Sequence, residues 1–305
     1  MDGTIRLYKK SNKTIYFFKK SSINMELKEV RHLLTYDCML RCKHCYLSAG
    51  ENPVESLDFT QEQSDEFYGH FRPAVVSATG GEPLLKQGLV MKIARSTEAY
   101  GGSMELVTNG LLLTEKLVKE LGETNGRTFY QISLDGNRKY HDMLRNWNGA
   151  YDGAMKAIGI ASESGALTKV RMTVTEENFQ QIPEVISSLD AYGRENILLV
   201  MRPVVTRGRA LANGLKFGGA DFSELDGFGA RHISVETTDN KGKCGCGVDT
   251  VAVDPKGDIY PCTYFASNPK YLMGNITGQF RGLSEHAEFA GFRGTCYARH
   301  SVGAK

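Results

Sequence analysis

The sequence predicts an α/β fold, a partial barrel of six strand–helix units followed by a small cysteine-rich domain. Six β-like runs lie between residues 30 and 201, with a helical pattern between each run and the next. That alternation is typical of right-handed βαβ units and a parallel sheet. Six units fall short of the eight of a closed barrel, so we expect an open or partial barrel.

The six predicted strands are short apolar or alternating runs bounded by turn residues. They cover residues 30–34, 74–79, 104–108, 129–134, 170–174 and 196–201. The first predicted helix begins after Thr60, because Gln63 follows three residues later in a capping-box pattern. Further helical patterns cover residues 88–100, 114–122, 149–164 and 180–193.

The pattern changes after Pro203. A glycine-rich connector with a short helix is expected first. The stretch that follows is "CGCGVDTVAVDPKGDIYPC", in which two β-like runs flank a Pro-Lys-Gly turn. This pattern predicts a β-hairpin with cysteines at both ends. We divide the chain into an N-terminal basic hairpin (1–27), the barrel (28–215) and a linker with the cysteine-rich domain (216–305).

Composition and charge exclude several classes of protein. The net charge of +2 gives no case for binding nucleic acid or an acidic membrane surface. No apolar run resembles a signal peptide or reaches membrane-spanning length. We therefore expect a cytoplasmic protein, in which clustered cysteines hold metal more often than they form disulfides.

The seven cysteines divide into an open set and a closed set. Cys38, Cys42 and Cys45 follow the first predicted strand, whereas the C-terminal region contains Cys244, Cys246, Cys262 and Cys296. Thiolates at this spacing fit either zinc or an iron–sulfur cluster. A structural zinc site would need a fourth ligand, so three thiolates indicate a metal centre with one open position.

Polar motifs follow the next three predicted strands as well. They are "TGGEPLL" from Thr79, "TNG" from Thr108 and "SLDG" from Ser133. The carboxyl ends of parallel strands meet at one edge of the sheet, so we expect these residues to converge on one ligand.

The pattern Cys38-x-x-x-Cys42-x-x-Cys45 after a first strand, with Gly80-Gly81-Glu82-Pro83 after the second, resembles the radical S-adenosylmethionine (SAM) superfamily. The resemblance spans residues 28 to about 205. It implies a four-iron four-sulfur cluster with three cysteine ligands, whose fourth iron is held by SAM. It also implies reductive cleavage of SAM, hydrogen abstraction by a 5′-deoxyadenosyl radical, and a low-potential electron donor such as flavodoxin or ferredoxin.

Further site residues are carried over from the resemblance by position. Gly80, Gly81 and Glu82 would receive the methionyl amine, while Asn109, Ser133 and Asp135 lie where the family contacts the SAM carboxylate and ribose. His44 occupies a position that usually holds an aromatic residue near adenine, which is a departure from the pattern. Arg145 and Arg171 are candidates for pairing with a carboxylate, which favours the guanidinium fork; surface ion pairs are the alternative for both.

The C-terminal cysteines are similar to the opening of the SPASM and twitch extensions that follow many radical SAM barrels. The shorter twitch type, with one auxiliary four-iron cluster, fits the four cysteines Cys244, Cys246, Cys262 and Cys296 best. If Cys244 is not a ligand, that cluster has an open iron. A zinc-stapled hairpin is the alternative.

Three functions remain open on the sequence alone. The connector "TRGRALANG" and the stretch from Ser133 to Ile158 are similar to peptide-modifying members, so we expect a peptide substrate that gains a cross-link, a thioether or an epimer. A small-molecule dehydrogenase or cyclase with one auxiliary cluster is the first alternative, and a non-catalytic zinc-binding protein is the second. The N-terminal hairpin would either accept a peptide by strand addition or be a solvated edge protected by lysines.

Overall fold

The computed structural model describes residues 27–52, 54–218, 234–237, 245–247 and 249–278. Within these ranges, ten strands form one sheet in the order β10-β9-β8-β1-β2-β3-β4-β5-β6-β7. The strands are β1 Glu29–Leu33, β2 Val75–Thr79, β3 Ser103–Thr108, β4 Thr128–Ser133, β5 Thr168–Val174, β6 Ile197–Pro203, β7 Ser234–Thr237, β8 Thr250–Val253, β9 Asp258–Tyr260 and β10 Gly274–Asn275. The N-terminal hairpin expected over residues 1–27 lies almost entirely outside the described residues.

The run from β1 to β7 is parallel throughout, as the βαβ pattern predicts. The helices are α1 Gln61–Phe71, α2 Gln87–Tyr100, α3 Glu115–Thr124, α4 Arg138–Arg145, α5 Ala150–Glu163, α6 Ile182–Asp190 and the short α7 Arg209–Ala212. The capping box at Thr60 is confirmed: its hydroxyl accepts from Gln63 N, and the Gln63 side chain accepts from Thr60 N. Helix α4 was not predicted.

One face of the sheet packs against the helices, and the other faces a cavity. The main apolar core joins α1–α3, α5 and α6 to buried strand residues such as Val76, Leu106 and Ile132. Alternate side chains from all of β1 to β6 line a single cavity of about 530 Å³. Because strands from one end of this run to the other share that cavity, the sheet curves around it, which confirms the partial barrel.

The C-terminal hairpin extends the barrel sheet at the β1 edge. Strand β8 pairs in parallel with β1, for example Val30 with Val251, and β9 returns antiparallel to β8. Val251 and Ile259 pack into the main core. A second small cluster contains Cys246, Tyr260, Cys262, Phe265 and Tyr271. The described part of the cysteine-rich region is therefore in direct contact with the first strand of the barrel.

No helix among the described residues is both long enough and apolar enough to cross a membrane.

Candidate active site

The three cysteines of the open set lie on the loop that follows β1, and all three line the cavity at the carboxyl ends of the strands. Each sulfur has its own N–H neighbour. Leu40 N lies 3.4 Å from Cys38 Sγ, Ala49 N lies 3.4 Å from Cys45 Sγ, and Arg145 Nη1 lies 3.8 Å from Cys42 Sγ. Hydrogen bonds to sulfur stabilise thiolate ligands and tune iron–sulfur centres.

No three His, Cys, Asp or Glu side chains in the described part of the chain converge on one metal-ion position. The buried Cys38 thiol resists ionisation. Burial raises the pKa of Cys38 to about 12, and the neighbouring Cys42 adds to this. Thiolates here therefore need a cationic partner, as an iron–sulfur cluster would provide.

The glycines after β2 pack so closely against the cysteine loop that a residue with a Cβ would not fit. Gly81 N donates to Thr35 O at 2.7 Å, and Glu82 N donates to Asp37 O at 2.8 Å. A Cβ on Gly81 would overlap the Asp37 carbonyl, and Gly80 has φ of +135°. Both glycines line the cavity. They leave an open cradle of backbone beside the thiols, in keeping with the predicted place for the methionyl amine.

Glu82 does not line the cavity with its side chain. Its carboxylate is fully buried and accepts from Thr108 Oγ1 at 2.8 Å, Asn109 N at 2.9 Å and Leu84 N at 3.1 Å. Burial raises the pKa of Glu82 to about 7, although these donors oppose the shift. The side chain thus ties the glycine loop to the end of β3, which leaves only its backbone for a ligand.

Asn109 and Ser133, at the ends of β3 and β4, both line the cavity. Asn109 Nδ2 donates to Met39 Sδ at 3.2 Å, so this side chain also contacts the cysteine loop. Asp135 is fully buried behind the cavity wall. Its backbone N–H donates to His141 Nδ1 at 3.0 Å, and its Oδ1 accepts from Thr173 N at 2.9 Å.

Arg145 connects Asp135 to the cysteine loop. Its Nε and Nη2 lie 2.7 Å and 2.6 Å from Asp135 Oδ2, while Nη1 approaches Cys42. Burial by itself would raise the pKa of Asp135, but the Arg145 charge, assisted by the Thr173 N–H, lowers it to about 2. The pair is therefore ionised, and Arg145 is directed at the thiols by a buried carboxylate.

His44 lies between Cys42 and Cys45 and lines the cavity. Its Nε2 is 3.9 Å from Asp135 Oδ2, and its buried Nδ1 has no partner among the described residues. Burial lowers the pKa of His44 to about 3. A neutral ring with one unsatisfied nitrogen at the cavity wall is available for contact with a ligand.

Arg171 also lines the cavity, from the middle of β5. It is level with Ser133 of β4 and Val200 of β6 in the strand register. The structure therefore brings to one cavity Cys38, Cys42, Cys45, His44, Gly80, Gly81, Asn109, Ser133, Arg145 and Arg171.

Sequence reasoning missed Arg209, which lies in the connector after β6. Arg209 Nε donates to Cys42 O at 2.7 Å, its Nη1 donates to Ala49 O at 3.0 Å, and its backbone N–H donates to Cys45 O at 3.0 Å. The preceding Gly208 has φ of +55°, and a Cβ there would clash with Tyr46 O. The Gly-Arg pair of "TRGRALANG" was the available signal, since it allows close backbone approach to the cysteine loop.

Two cysteines of the closed set are described, and both are buried. The Cys246 side chain hydrogen-bonds to Cys262, which is the main reason that the pKa of Cys262 is lowered to about 6. The residues after Cys262 reach the cavity: Tyr264 packs edge-on against Tyr46 with ring centroids 5.1 Å apart. Cys244 and Cys296 lie outside the described residues.

The fold and site define an α/β partial-barrel protein with an open three-cysteine centre at the carboxyl ends of its strands. Residues 33–189, about half of the chain, match the radical SAM superfamily, and the chain belongs to this family. The predicted membership of the radical SAM superfamily is thereby confirmed, and the family implies an enzyme with a four-iron cluster and SAM. The predicted auxiliary cluster stays a prediction.

Three relatives illustrate the match. The chain is 29% identical to mycofactocin maturase MftC of Mycolicibacterium smegmatis, over 84% of this chain and 69% of that protein. It is 29% identical to Fe-coproporphyrin III synthase of Methanosarcina barkeri, over 59% of this chain and 45% of that protein. Among solved structures, Streptococcus suis SuiB bound to S-adenosylmethionine superposes with a TM-score of 0.66 at 16% identity, over 84% of this chain and 64% of that one. SuiB has also been solved bound to precursor peptide SuiA. The chain spans about two thirds of MftC and of SuiB and less than half of the synthase.

Proposed function

We propose that this protein cleaves SAM reductively and uses the radical to modify a ribosomally made peptide. The observation that carries the proposal is the loop of Cys38, Cys42 and Cys45, whose three sulfurs line one cavity beside an open glycine cradle. A four-iron cluster on these thiolates would supply the electron that splits SAM into methionine and a 5′-deoxyadenosyl radical able to take hydrogen from substrate.

The residues of this chain would hold SAM by three kinds of contact. The Gly80–Gly81 backbone would receive the methionyl amine, and Asn109 and Ser133 would receive polar groups at the next strand ends. His44 would offer its unpartnered Nδ1 and its ring face. Arg145, held by Asp135, would offer its Nη1 as a donor to groups next to Cys42.

A peptide substrate is supported by the relatives. MftC is by name a maturase, and SuiB has been crystallised with its precursor peptide. The cavity continues from the cysteine loop into the barrel, where it can take up a side chain or α-carbon of a peptide whose ends remain outside. The product would be a cross-link, a thioether or an epimer.

We also propose an auxiliary four-iron cluster on Cys244, Cys246, Cys262 and Cys296. The contact between Cys246 and Cys262 supports it, as does the position of Thr263 and Tyr264 on the cavity wall. A low-potential donor such as flavodoxin or ferredoxin would deliver electrons in the cytoplasm.

A second candidate is a small-molecule substrate. The match to Fe-coproporphyrin III synthase favours it, because that match covers 59% of this chain at the same 29% identity as the maturase.

Deuterium transfer tests the proposal and separates the two candidates. The anaerobically reconstituted protein is incubated with dithionite, SAM and a fully deuterated extract of its host cells, divided by size into peptides and small molecules. We expect 5′-deoxyadenosine one mass unit heavier with the peptide fraction only. Label from the small-molecule fraction alone would favour the second candidate. SAM cleavage absent from both, in protein with a full iron load, would overturn the radical reaction.

A further inference from the structure

The inner face of the barrel is polar, unlike that of a parallel sheet that is covered on both faces. In β4 and β5 buried and less buried residues alternate strictly, and the less buried ones face the cavity. Parallel strands packed on both faces usually read as continuous apolar runs. Charged side chains on this face therefore serve the cavity rather than the core.

Most of the cations that line the cavity are neutralised by a carboxylate of the chain. Seven Lys and Arg side chains line it. Five have a carboxylate oxygen within 4 Å, namely Lys28, Arg31, Arg145, Lys169 and Arg209. Within the described residues, the two that have none are Arg171 and Arg202.

The carboxylates that interact electrostatically with this pair, Glu105 with Arg171 and Glu29 with Arg202, already have other partners. Both oxygens of Glu29 accept from Arg31, at 2.9 Å and 2.8 Å. Glu105 pairs with Lys169 at 3.1 Å and accepts from Ser77 Oγ at 2.6 Å. These four charges cancel, so two positive charges remain on the inner wall.

Arg171 and Arg202 lie on neighbouring strands, two positions apart in the register, because Arg171 pairs with Val200. Arg202 Nε is buried and has no hydrogen-bond partner in the described structure. Burial, followed by repulsion from Arg171 and Arg31, lowers the pKa of Arg202 to about 10. Two guanidinium groups without a counter-ion are costly in a semi-enclosed cavity, and a bound anion would remove that cost.

We propose that Arg171 and Arg202 together bind a carboxylate of the peptide substrate inside the barrel. The guanidinium fork suits a planar carboxylate, and two such groups can take both of its oxygens. This would fix the substrate's reacting carbon relative to the cysteine loop. This assignment names a group of the proposed substrate. That the substrate is a peptide rests on the proposed function.

The carboxylate has three possible sources: an acidic side chain, a peptide C-terminus, or SAM itself. Arg145 Nη1 lies 3.8 Å from Cys42 Sγ, next to the position where SAM would bind. Within the described structure Arg171 and Arg202 contact none of the three thiols, so we assign this pair to substrate. Small probes separate the three. Acetyl-glutamic acid amide presents only a side-chain carboxylate, acetyl-glutamine only a terminal one, and acetyl-glutamine amide neither.

The test measures how these probes protect individual arginines in the reconstituted protein from phenylglyoxal, with peptide mapping by mass spectrometry. With SAM present, we expect one of the two acidic probes to slow modification of both Arg171 and Arg202 by at least ~3-fold, a modest demand for a charge-assisted contact. The neutral amide should give no protection. Full protection by SAM alone, or no protection by any probe, would overturn the proposal.

Variants give an independent readout. In the double variant Arg171→Gln/Arg202→Gln, the affinity for the protecting probe should fall ~10-fold or more. The control Arg194→Gln, which removes a pair with Glu163 and bonds to Gly159 O and Ser162 Oγ outside the cavity, should bind like wild type. Iron content and circular dichroism verify folding. An unchanged affinity in a folded double variant would also overturn the proposal. No turnover is involved, so this result is independent of whether deuterium transfer from peptides succeeds.

Discussion

Arg145 and Asp135 form a buried ion pair at the back of the cysteine loop, with both Nε and Nη2 of the arginine directed at Asp135 Oδ2. The pair holds one guanidinium against Cys42 Sγ. Because Asp135 also accepts from Thr173 N, it links β5, α4 and the cysteine loop in one network.

Arg145→Gln should destabilise the protein strongly. It leaves the Asp135 charge buried without its partner, which typically costs ~3–5 kcal/mol in the free energy of unfolding. Urea denaturation of the metal-free protein at pH 7 measures this. The control Lys116→Gln, which removes an exposed i,i+4 pair with Glu120, should cost less than ~1 kcal/mol. Equal losses in the two variants would show that the buried pair is not a structural link.

Gly81→Ala should distort the contact between the glycine loop and the cysteine loop. The added Cβ meets the backbone carbonyl of Asp37, which cannot rotate away. We expect at least ~10-fold weaker SAM binding by equilibrium dialysis of the reconstituted protein, since a steric clash of this kind typically costs 1–3 kcal/mol. Gly122→Ala, on α3 with open space around its Cβ position, is the matched control and should be slightly stabilising. Unchanged SAM binding in the Gly81→Ala variant would contradict the proposed contact between SAM and the Gly80–Gly81 backbone.

His32 should make stability fall in mild acid. It is 2% exposed, hydrogen-bonds to Tyr68 Oη at 2.6 Å, and burial lowers its pKa to about 3. In the unfolded chain His32 binds a proton near pH 6.5, whereas in the folded chain it stays neutral down to about pH 3. The free energy of unfolding is therefore highest above pH 6.5 and decreases as the pH falls towards 3. His32→Gln should reduce the loss between pH 7 and pH 5 by up to ~2 kcal/mol.

Tyr68→Phe is the control for this pH effect. It removes the hydroxyl but keeps the buried imidazole, so it should lower stability at pH 7 by ~1 kcal/mol without flattening the pH dependence. If His32→Gln shows the same pH dependence as wild type, the buried neutral histidine is not its cause.

Cys246→Ala/Cys262→Ala should remove the proposed auxiliary cluster alone. We expect about four of about eight irons per chain to be lost. The electron paramagnetic resonance signal of the reduced SAM cluster, and its change on adding SAM, should remain. Loss of zinc instead of iron would show that these cysteines hold a structural zinc ion.

Much of the fold follows from local sequence signals. Each of the six predicted barrel strands overlaps an observed one within about two residues at its start, because apolar runs and glycine stops are local. Helix α4 was not predicted because it is highly polar; in the structure it begins after Asn137, whose side chain accepts a hydrogen bond from Tyr140 N. The pairing of β8 with β1 joins residues more than 200 positions apart, and no local pattern contains that information.

The site was predictable in part because its motifs are also local sequence signals. Motifs at strand ends identified residues of the cavity mouth, including Cys38, Gly81 and Asn109. The roles within it depend on three-dimensional partners: Glu82 proves to be enclosed by donors, and Arg209 braces a loop some 160 residues earlier in the chain. The unpaired charges of Arg171 and Arg202 become visible only when all their neighbours are known.

The central claim is that Cys38, Cys42 and Cys45 together hold one four-iron cluster that SAM completes. The most direct test is iron per chain in the anaerobically reconstituted protein and in the Cys38→Ala/Cys42→Ala/Cys45→Ala variant. We predict a loss of about four irons in the variant. The same iron content in both proteins would contradict the account.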